Sequence, residues 1–499
     1  MKQLPFTRRP DASQRIAVAR SGATGRSRAS RRRASGMVAA GTGLSILLSG
    51  AGAGAAVAAA PFPADDLTRS YPSNVSYRYE LIMDSFTVLR DDEAIIAHND
   101  ATTIAINNSA SPEQVDRAIV DQYADMSISM ADAFGQNLGA FYTEGRLNGE
   151  LPKVEALMAK EGGLIGYHSS SNPSKEFFSY DRPYIRIPEL LQYRDKPDGD
   201  AWESTSGSFP SGHTSQAYWQ GTAFAVMLPE LAPQILARTS EASNNRIVMA
   251  AHYPLDVIGG RMMGNHILER RMTDSEFRPL IAAAASELRD YLETRCGDTI
   301  EVCIAEDTPY LNDEESLAVY EERMTYSFPR VAASGLPVSV PDDAESLLLT
   351  SHPDLTAEQR RRVLELTAID SGYPLDQGNS IGGWQRINLA AAMAAEVVVA
   401  PDGSVSLADD AAPSPEPEPD PSDPGTSPDP SDPGNAPEPN APGMPADVDG
   451  AMPTADDSAA ADDLADTGAD LPVSGLGAAL MALVAGAALL VLRRRIARQ

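Results

Sequence analysis

The sequence predicts an all-α fold, on three observations. Apolar side chains recur every three to four residues over several long segments, helix-start signals precede two of them, and the period-two alternation of half-buried strands is scarce. The chain has 499 residues and is 42% apolar, enough to bury the core of one large or two ordinary domains. From Ser111 to Gln136 the positions Ile119, Val120, Tyr123, Met126, Met130 and Phe134 mark one helical face. Ser111 followed by Pro112 starts that helix, as a cap and a first-turn proline. Val154–Lys160, Ser215–Ala237, Leu255–Arg271 and Asp274–Leu292 carry the same spacing. Thr356-x-x-Gln359 is a capping-box pattern that opens a helix over Ala357–Ile369. These segments place a helical domain over residues 65–300 and a helical extension over 301–410 packed against it. Within the extension, the Gly-rich run from Gly372 through Trp384 to Ala392 reads as a packing loop and helix.

Charge separates the ends of the chain from its middle. There are 40 basic and 70 acidic side chains, a formal charge of −30. Residues 1–60 hold ten of the basic groups and one acid, and four arginines and one aspartate follow Thr467. The stretch between them carries 26 basic and 68 acidic groups, a charge near −42. Such a surface excludes a basic face for nucleic acid and repels anionic lipid.

Residues 2–33 are Arg-rich, and residues 37–60 run uncharged through small and apolar side chains to Pro61. This reads as an export signal over 1–60, cleaved near Ala60. The run Ser30–Arg33 leaves the route, general secretion or twin-arginine, open. Residues 411–463 form an acidic linker: thirteen of the 33 residues from Pro413 to Pro445 are Pro, and no Lys or Arg occurs between Asp409 and Asp466. A segment of this kind cannot bury a core and extends by self-repulsion. Cys296 and Cys303 are the two cysteines, and in an exported chain they are expected to close a local disulfide.

After the linker, LADTG at Leu464–Gly468 precedes a charge-free apolar stretch from Leu471 to Leu492 and a basic tail. A plain C-terminal membrane anchor accounts for the span and its arginines. The three parts in this order resemble a sortase cell-wall sorting signal of the L-A-x-T-G kind over 464–499, with Ala465 where Pro is usual. The resemblance implies cleavage between Thr467 and Gly468, sortase and peptidoglycan as partners, a membrane-held stage before sorting, and an extracellular product linked to the wall.

Three motifs carry chemistry. In Lys175–Pro183 two cations lie seven residues apart, Lys175 and Arg182. In Pro210-Ser211-Gly212-His213 a turn offers N–H groups to an anion at the start of a predicted helix. In the third, Arg246 precedes His252 by six positions and Asp256 follows by four, so that His and Asp are expected on one helix face. K-x6-RP, PSGH and SR-x5-H-x3-D, in this order, resemble the type 2 phosphatidic acid phosphatase superfamily, which contains class A acid phosphatases, membrane lipid phosphatases and vanadium haloperoxidases. Ten of eleven fixed positions match, and Asn245 stands where Ser is usual.

The resemblance implies a helical bundle of the acid phosphatase/vanadium haloperoxidase type with a helical C-terminal extension. It implies that Lys175, Arg182, Ser211, Gly212 and Arg246 bind phosphate, that His252 attacks phosphorus, that Asp256 holds its tautomer, and that His213 serves as acid and then base. Three protein cations stand in for metal ions, so no metal or cofactor is expected. His98, His168, His266 and His352 fit no motif and read as surface or structural. No 18-residue uncharged apolar run occurs in residues 61–470, which disfavours an integral lipid phosphatase. The expected function is a secreted, wall-anchored hydrolase of small phosphomonoesters. A vanadium-dependent haloperoxidase, with vanadate on His252, and a wall-displayed binding or scaffold protein with a residual site are the alternatives.

Overall fold

The computed structural model describes residues 60–194, 206–379 and 381–408. The chain divides into two compact units, Met1–Val57 and Ala58–Gln499, and all described residues lie in the second. The export signal up to residue 59, the linker, and the sorting signal with Thr467 and Gly468 lie outside the described residues.

The fold is all-α, as the sequence predicts. Its principal helices are α1 (Glu93–Ser109), α2 (Pro112–Tyr123), α3 (Gln136–Asn148), α4 (Pro152–Met158), α5 (Asn172–Phe178), α6 (Gly212–Met227), α7 (Ala232–Val248), α8 (Pro254–Thr273), α9 (Arg278–Cys296), α10 (Asp313–Thr325), α11 (Ala357–Thr367) and α12 (Leu389–Ala394). A short antiparallel hairpin, Val397–Val399 with Val405–Leu407, follows α12. Helix α6 packs against both α7 and α8, and α2, α10 and α12 lie against α7. This arrangement buries α6 on every side from Ala217 to Met227, and its small residues permit it: a Cβ on Gly221 would lie 1.9 Å from Thr239 Oγ1 of α7.

Several predicted helices are differently divided. Ser215–Ala237 is not one helix, because Pro229 lacks an N–H and its ring clashes with a continuing turn. α6 ends at Met227, and α7 starts at Ala232 after a short 3-10 turn. Ser111–Gln136 likewise breaks after Tyr123, where Asp125 caps a separate turn, Met126–Ser129, and Gly135 takes a φ of 107°. Met126, Met130 and Phe134 are buried, whereas Val120 and Tyr123, placed on the same face by spacing, are exposed. Asp274 stands before α9 and accepts the Glu276 and Phe277 N–H groups. The Thr356/Gln359 capping box forms as read and opens α11.

One hydrophobic cluster runs from Phe62 to Met393. It joins Tyr218 and Met262 of the central helices to Tyr320, Met324, Leu347 and Trp384, so the extension shares the core of residues 65–300. Arg261 of α8 donates to the carbonyls of Gln385 and Ile387 at 2.8 and 3.3 Å, which fastens the Gly-rich loop over the bundle. A disulfide joins Cys296, at the end of α9, to Cys303. Among the described residues no helix is long and apolar enough to cross a membrane.

Candidate active site

The three motifs meet where α6 and α8 begin. Lys175 lies in α5, which Ser179 ends in a left-handed conformation. Arg182 follows in extended backbone, held there by Pro183 at the start of the next helical turn. Ser211 is the N-cap of α6, and its Oγ accepts from Thr214 N at 3.2 Å. Gly212 sits under Ser171, where a Cβ would come within 2.6 Å of the serine Oγ. Arg246 occupies the last turn of α7. Ala250, at a φ of 57°, then reverses the chain and delivers His252 just ahead of α8.

His252 and Asp256 do not meet on a shared helix face. His252 precedes the helix, and Asp256 is its third residue, a capping position. Its Oδ2 accepts from Tyr253 N at 2.9 Å, lies 3.1 Å from His252 Nδ1, and accepts from Ser208 Oγ. The cap thus orients the imidazole. The Arg182 Nη1 lies 3.0 Å from His252 Nε2 and donates to it, and also donates to Ala251 O at 3.1 Å. Arg182 Nε and Nη2 are fixed by Ser206 O and Oγ, each at 3.0 Å. A proton on Nδ1 facing Asp256 and a lone pair on Nε2 satisfy both contacts of His252.

Burial and mutual repulsion set the charges. Lys175, Arg182, Arg246, His252 and Asp256 are all buried, while His213 keeps partial exposure. Burial, then Arg182, brings Lys175 down to about 7. Burial and the same neighbour lower Arg246 to about 9. Burial also lowers Arg182. His252 is held well below its ordinary value by burial and by Arg182, Lys175, Arg246 and His213. His213 is lowered by desolvation, then by Arg246, Lys160, Lys175 and Arg182. Burial raises Asp256 to about 6, against the hydrogen bonds from Ser208 and Tyr253 and the nearby cations. A concentration of buried positive charge facing a neutral imidazole is suited to an oxyanion with two or more charges.

All eight motif residues carried over to chemistry converge here. Ser206, Ser208 and Gln122 also belong to the site and escaped the sequence reading. No motif marks them, and Gln122 lies 124 positions from Arg246, whose Nη1 donates to its Oε1. Asn245 gives an amide hydrogen to the scaffold: its Nδ2 donates to Asp121 at 2.9 Å. The remaining histidines serve elsewhere. His98 Nε2 lies 3.1 Å from Tyr326 O, His352 Nε2 lies 2.8 Å from Ala392 O, His266 pairs with Glu269 at 2.9 Å, and the His168 ring packs on Tyr167. Among the described residues no group of three or more His, Cys, Asp or Glu is placed to hold a metal ion.

Residues 161–272 match the model of the PAP2 superfamily. The chain is similar to a non-specific acid phosphatase of Salmonella typhimurium, 31% identical over 129 residues, covering 25% of this chain and 48% of that protein. An acid phosphatase of Zymomonas mobilis is 34% identical over 176 residues, 34% of this chain and 62% of its own length. A non-specific acid phosphatase of Providencia stuartii is 24% identical over 258 residues, 49% of this chain and 96% of its own. The chain spans about half the length of the Salmonella relatives it matches. The buried clamp and both motif histidines therefore lie within the residues that match the PAP2 superfamily model, 161–272.

Proposed function

We propose that the chain is a phosphomonoesterase that works through a phosphohistidine. The observation that carries this reading is the contact of Arg182 with His252 Nε2 at 3.0 Å, in a site where Lys175 and Arg246 also act on the same imidazole. A phosphoryl group whose oxygens rest on these three cations sits against the one ring nitrogen that keeps a lone pair. Relatives named acid phosphatases favour hydrolysis over the haloperoxidase alternative.

In this mechanism the equatorial oxygens of the ester lie on Lys175, Arg182 and Arg246, with the Ser211 hydroxyl and the Gly212 N–H beside them. Arg182 exchanges its bond to Nε2 for one to phosphate. His252 Nε2 attacks phosphorus, the P–O bond to the leaving group breaks, and His213 gives that oxygen its proton. Asp256 supports the positive imidazole that forms at Nδ1. Neutral His213 then takes a proton from water, which attacks phosphorus and breaks the P–N bond to release inorganic phosphate. The phosphate itself supplies the negative charge that lets His213 hold a proton among so many cations.

The test is hydrolysis of p-nitrophenyl phosphate by the full chain in EDTA. Activity that persists in chelator, is inhibited by vanadate and is abolished in His252→Ala is expected. Loss in EDTA that added zinc or magnesium restores would contradict a clamp made of side chains alone.

The same proposal gives the enzyme an address. The Arg-rich start, the Pro-rich acidic spacer and the LADTG, apolar span and basic tail support export, sortase cleavage after Thr467 and attachment to peptidoglycan, with the spacer holding the domain clear of the wall. Release of the wild type by wall-digesting enzymes and loss of that attachment in Thr467→Ala are expected. Extraction by detergent alone with Arg498 still present would make the C-terminus a plain membrane anchor.

A further inference from the structure

The last turn of α2 grips the last turn of α7. Asp121 is buried, and its carboxylate accepts from Asn245 Nδ2 at 2.9 Å, from Arg238 at 2.8 and 3.0 Å, and from Ser129 Oγ at 2.8 Å. Its neighbour Gln122, also buried, accepts from Arg246 Nη1. Two consecutive residues of one helix therefore hold two consecutive residues of another, and the second pair ends on a cation of the phosphate clamp.

The identity of each partner follows from what it must leave available. Arg246 is a long side chain whose orientation costs entropy, and an acceptor at Nη1 fixes it before a ligand arrives. A carboxylate at that position would neutralise the guanidinium and repel an incoming phosphate. An amide oxygen orients without neutralising. Asn245 meanwhile gives its amide hydrogen to Asp121, so position 245 contributes to the scaffold that keeps α2 in register with α7.

We propose that Gln122 is a positioning residue that pre-orients Arg246 for phosphate, and that Asn245 acts through Asp121 rather than on the substrate. This rests on the phosphatase reading. It assigns a part of the site's affinity to a helix outside all three motifs.

The experiment measures p-nitrophenyl phosphate kinetics and competitive inhibition by inorganic phosphate on the full chain. Wild type, Gln122→Leu, Gln122→Glu, Arg246→Met and the Gln122→Leu/Arg246→Met double variant are compared, each with its Tm. Gln122→Leu should raise KM and the phosphate inhibition constant about tenfold while changing kcat less, the scale of one lost charge-assisted hydrogen bond. In the Arg246→Met background the same change should cost less than about twofold in kcat/KM, because Gln122 acts through Arg246. Gln122→Glu preserves the shape and pairs a buried cation, so its Tm should hold or rise while phosphate inhibition weakens about tenfold or more. That divergence separates positioning from mere packing, and it decides the matter if Gln122→Leu folds poorly. Phosphate inhibition in Gln122→Glu within twofold of wild type would overturn the inference, as would a Leu penalty that adds in full on Arg246→Met. A wild type that neither hydrolyses the ester nor binds phosphate would overturn the phosphatase reading and this inference with it.

Discussion

Arg238 and Arg246 lie eight residues apart on the same helix, both fully buried, and they are treated in opposite ways. Arg238 bonds Asp121 with two nitrogens and Asp132 with a third at 2.9 Å, with Glu241 at 3.6 Å. Its charge is held on firmly, above the ordinary arginine value. Glu241 is in turn brought down to about 2, despite burial, chiefly by its hydrogen bond from Arg117 and by Arg238. Arg246 meets the amide oxygen of Gln122, and burial, then the repulsion of Arg182, weaken its charge against the pull of Asp121. The middle of α7 carries a closed set of ion pairs that ties it to α2 and to the turn at Asp132. Its last turn brings Arg246 toward Lys175 and Arg182 at the start of α6 and α8, where three cations outnumber the carboxylate of Asp256. The first arrangement ties elements of the fold together, the second is the one we propose for a ligand, and the two are distinguished by what surrounds an identical side chain.

That contrast can be broken most severely at Arg246. Arg246→Met should lower kcat/KM about 10²- to 10³-fold, the cost of removing one preorganised group that stabilises transition-state charge. Its resistance to denaturant should not fall, since a buried, repelled cation has been replaced by an apolar chain of similar length. Arg238→Met should do the reverse. It strands Asp121 and part of the Asp132/Glu241 set, and should cost about 3–5 kcal/mol of unfolding free energy, with the remaining folded protein still active. If both variants lose stability equally and Arg246→Met stays active, the division of labour along α7 is wrong.

A smaller effect comes from pH, and it should act on the clamp while leaving the Arg238 ion pairs alone. In the free site Asp256 is raised to about 6 and Lys175 lowered to about 7. As pH falls through about 6, Asp256 gains a proton and no longer supports the His252 imidazole. As pH rises through about 7, Lys175 loses its charge and the clamp weakens. The profile of kcat/KM, which reports the free enzyme, should therefore fall on both sides of that interval. Bound phosphate favours the charged amine, so the alkaline limb of kcat should lie at higher pH than that of kcat/KM. An alkaline limb for kcat/KM unchanged in Lys175→Met would remove Lys175 from this account.

Much of this was legible in the sequence, and the parts that were not share a cause. Lys175, Arg182, Ser211, Gly212, His213, Arg246, His252 and Asp256 are marked in the sequence by residue type and order, and the fold brings the three motifs together. The all-α class and the α11 capping box are equally local signals. Helix α7 was missed beyond Ala237 because all of its residues are buried and many are polar; apolar spacing is silent where hydrogen bonds, not hydrocarbon, fill the core. Val120 and Tyr123 were misplaced because the chain breaks at Ala124 and the helical phase is not carried across. Ser208 and Gln122 act across 48 and 124 positions, and the reason for the His252–Asp256 contact is a helix cap, which spacing alone does not separate from a shared face.

The central claim is that His252 Nε2, set in the cationic clamp, carries the phosphoryl group. It is tested most directly by mixing the chain with an aryl phosphate labelled on phosphorus and quenching in alkaline denaturant, where a phosphoramidate survives. Wild type should yield labelled His252, His213→Ala should accumulate more of it because water is no longer activated, and His252→Ala should yield neither label nor turnover. Turnover by His252→Ala, or label recovered on any other residue, would contradict the account.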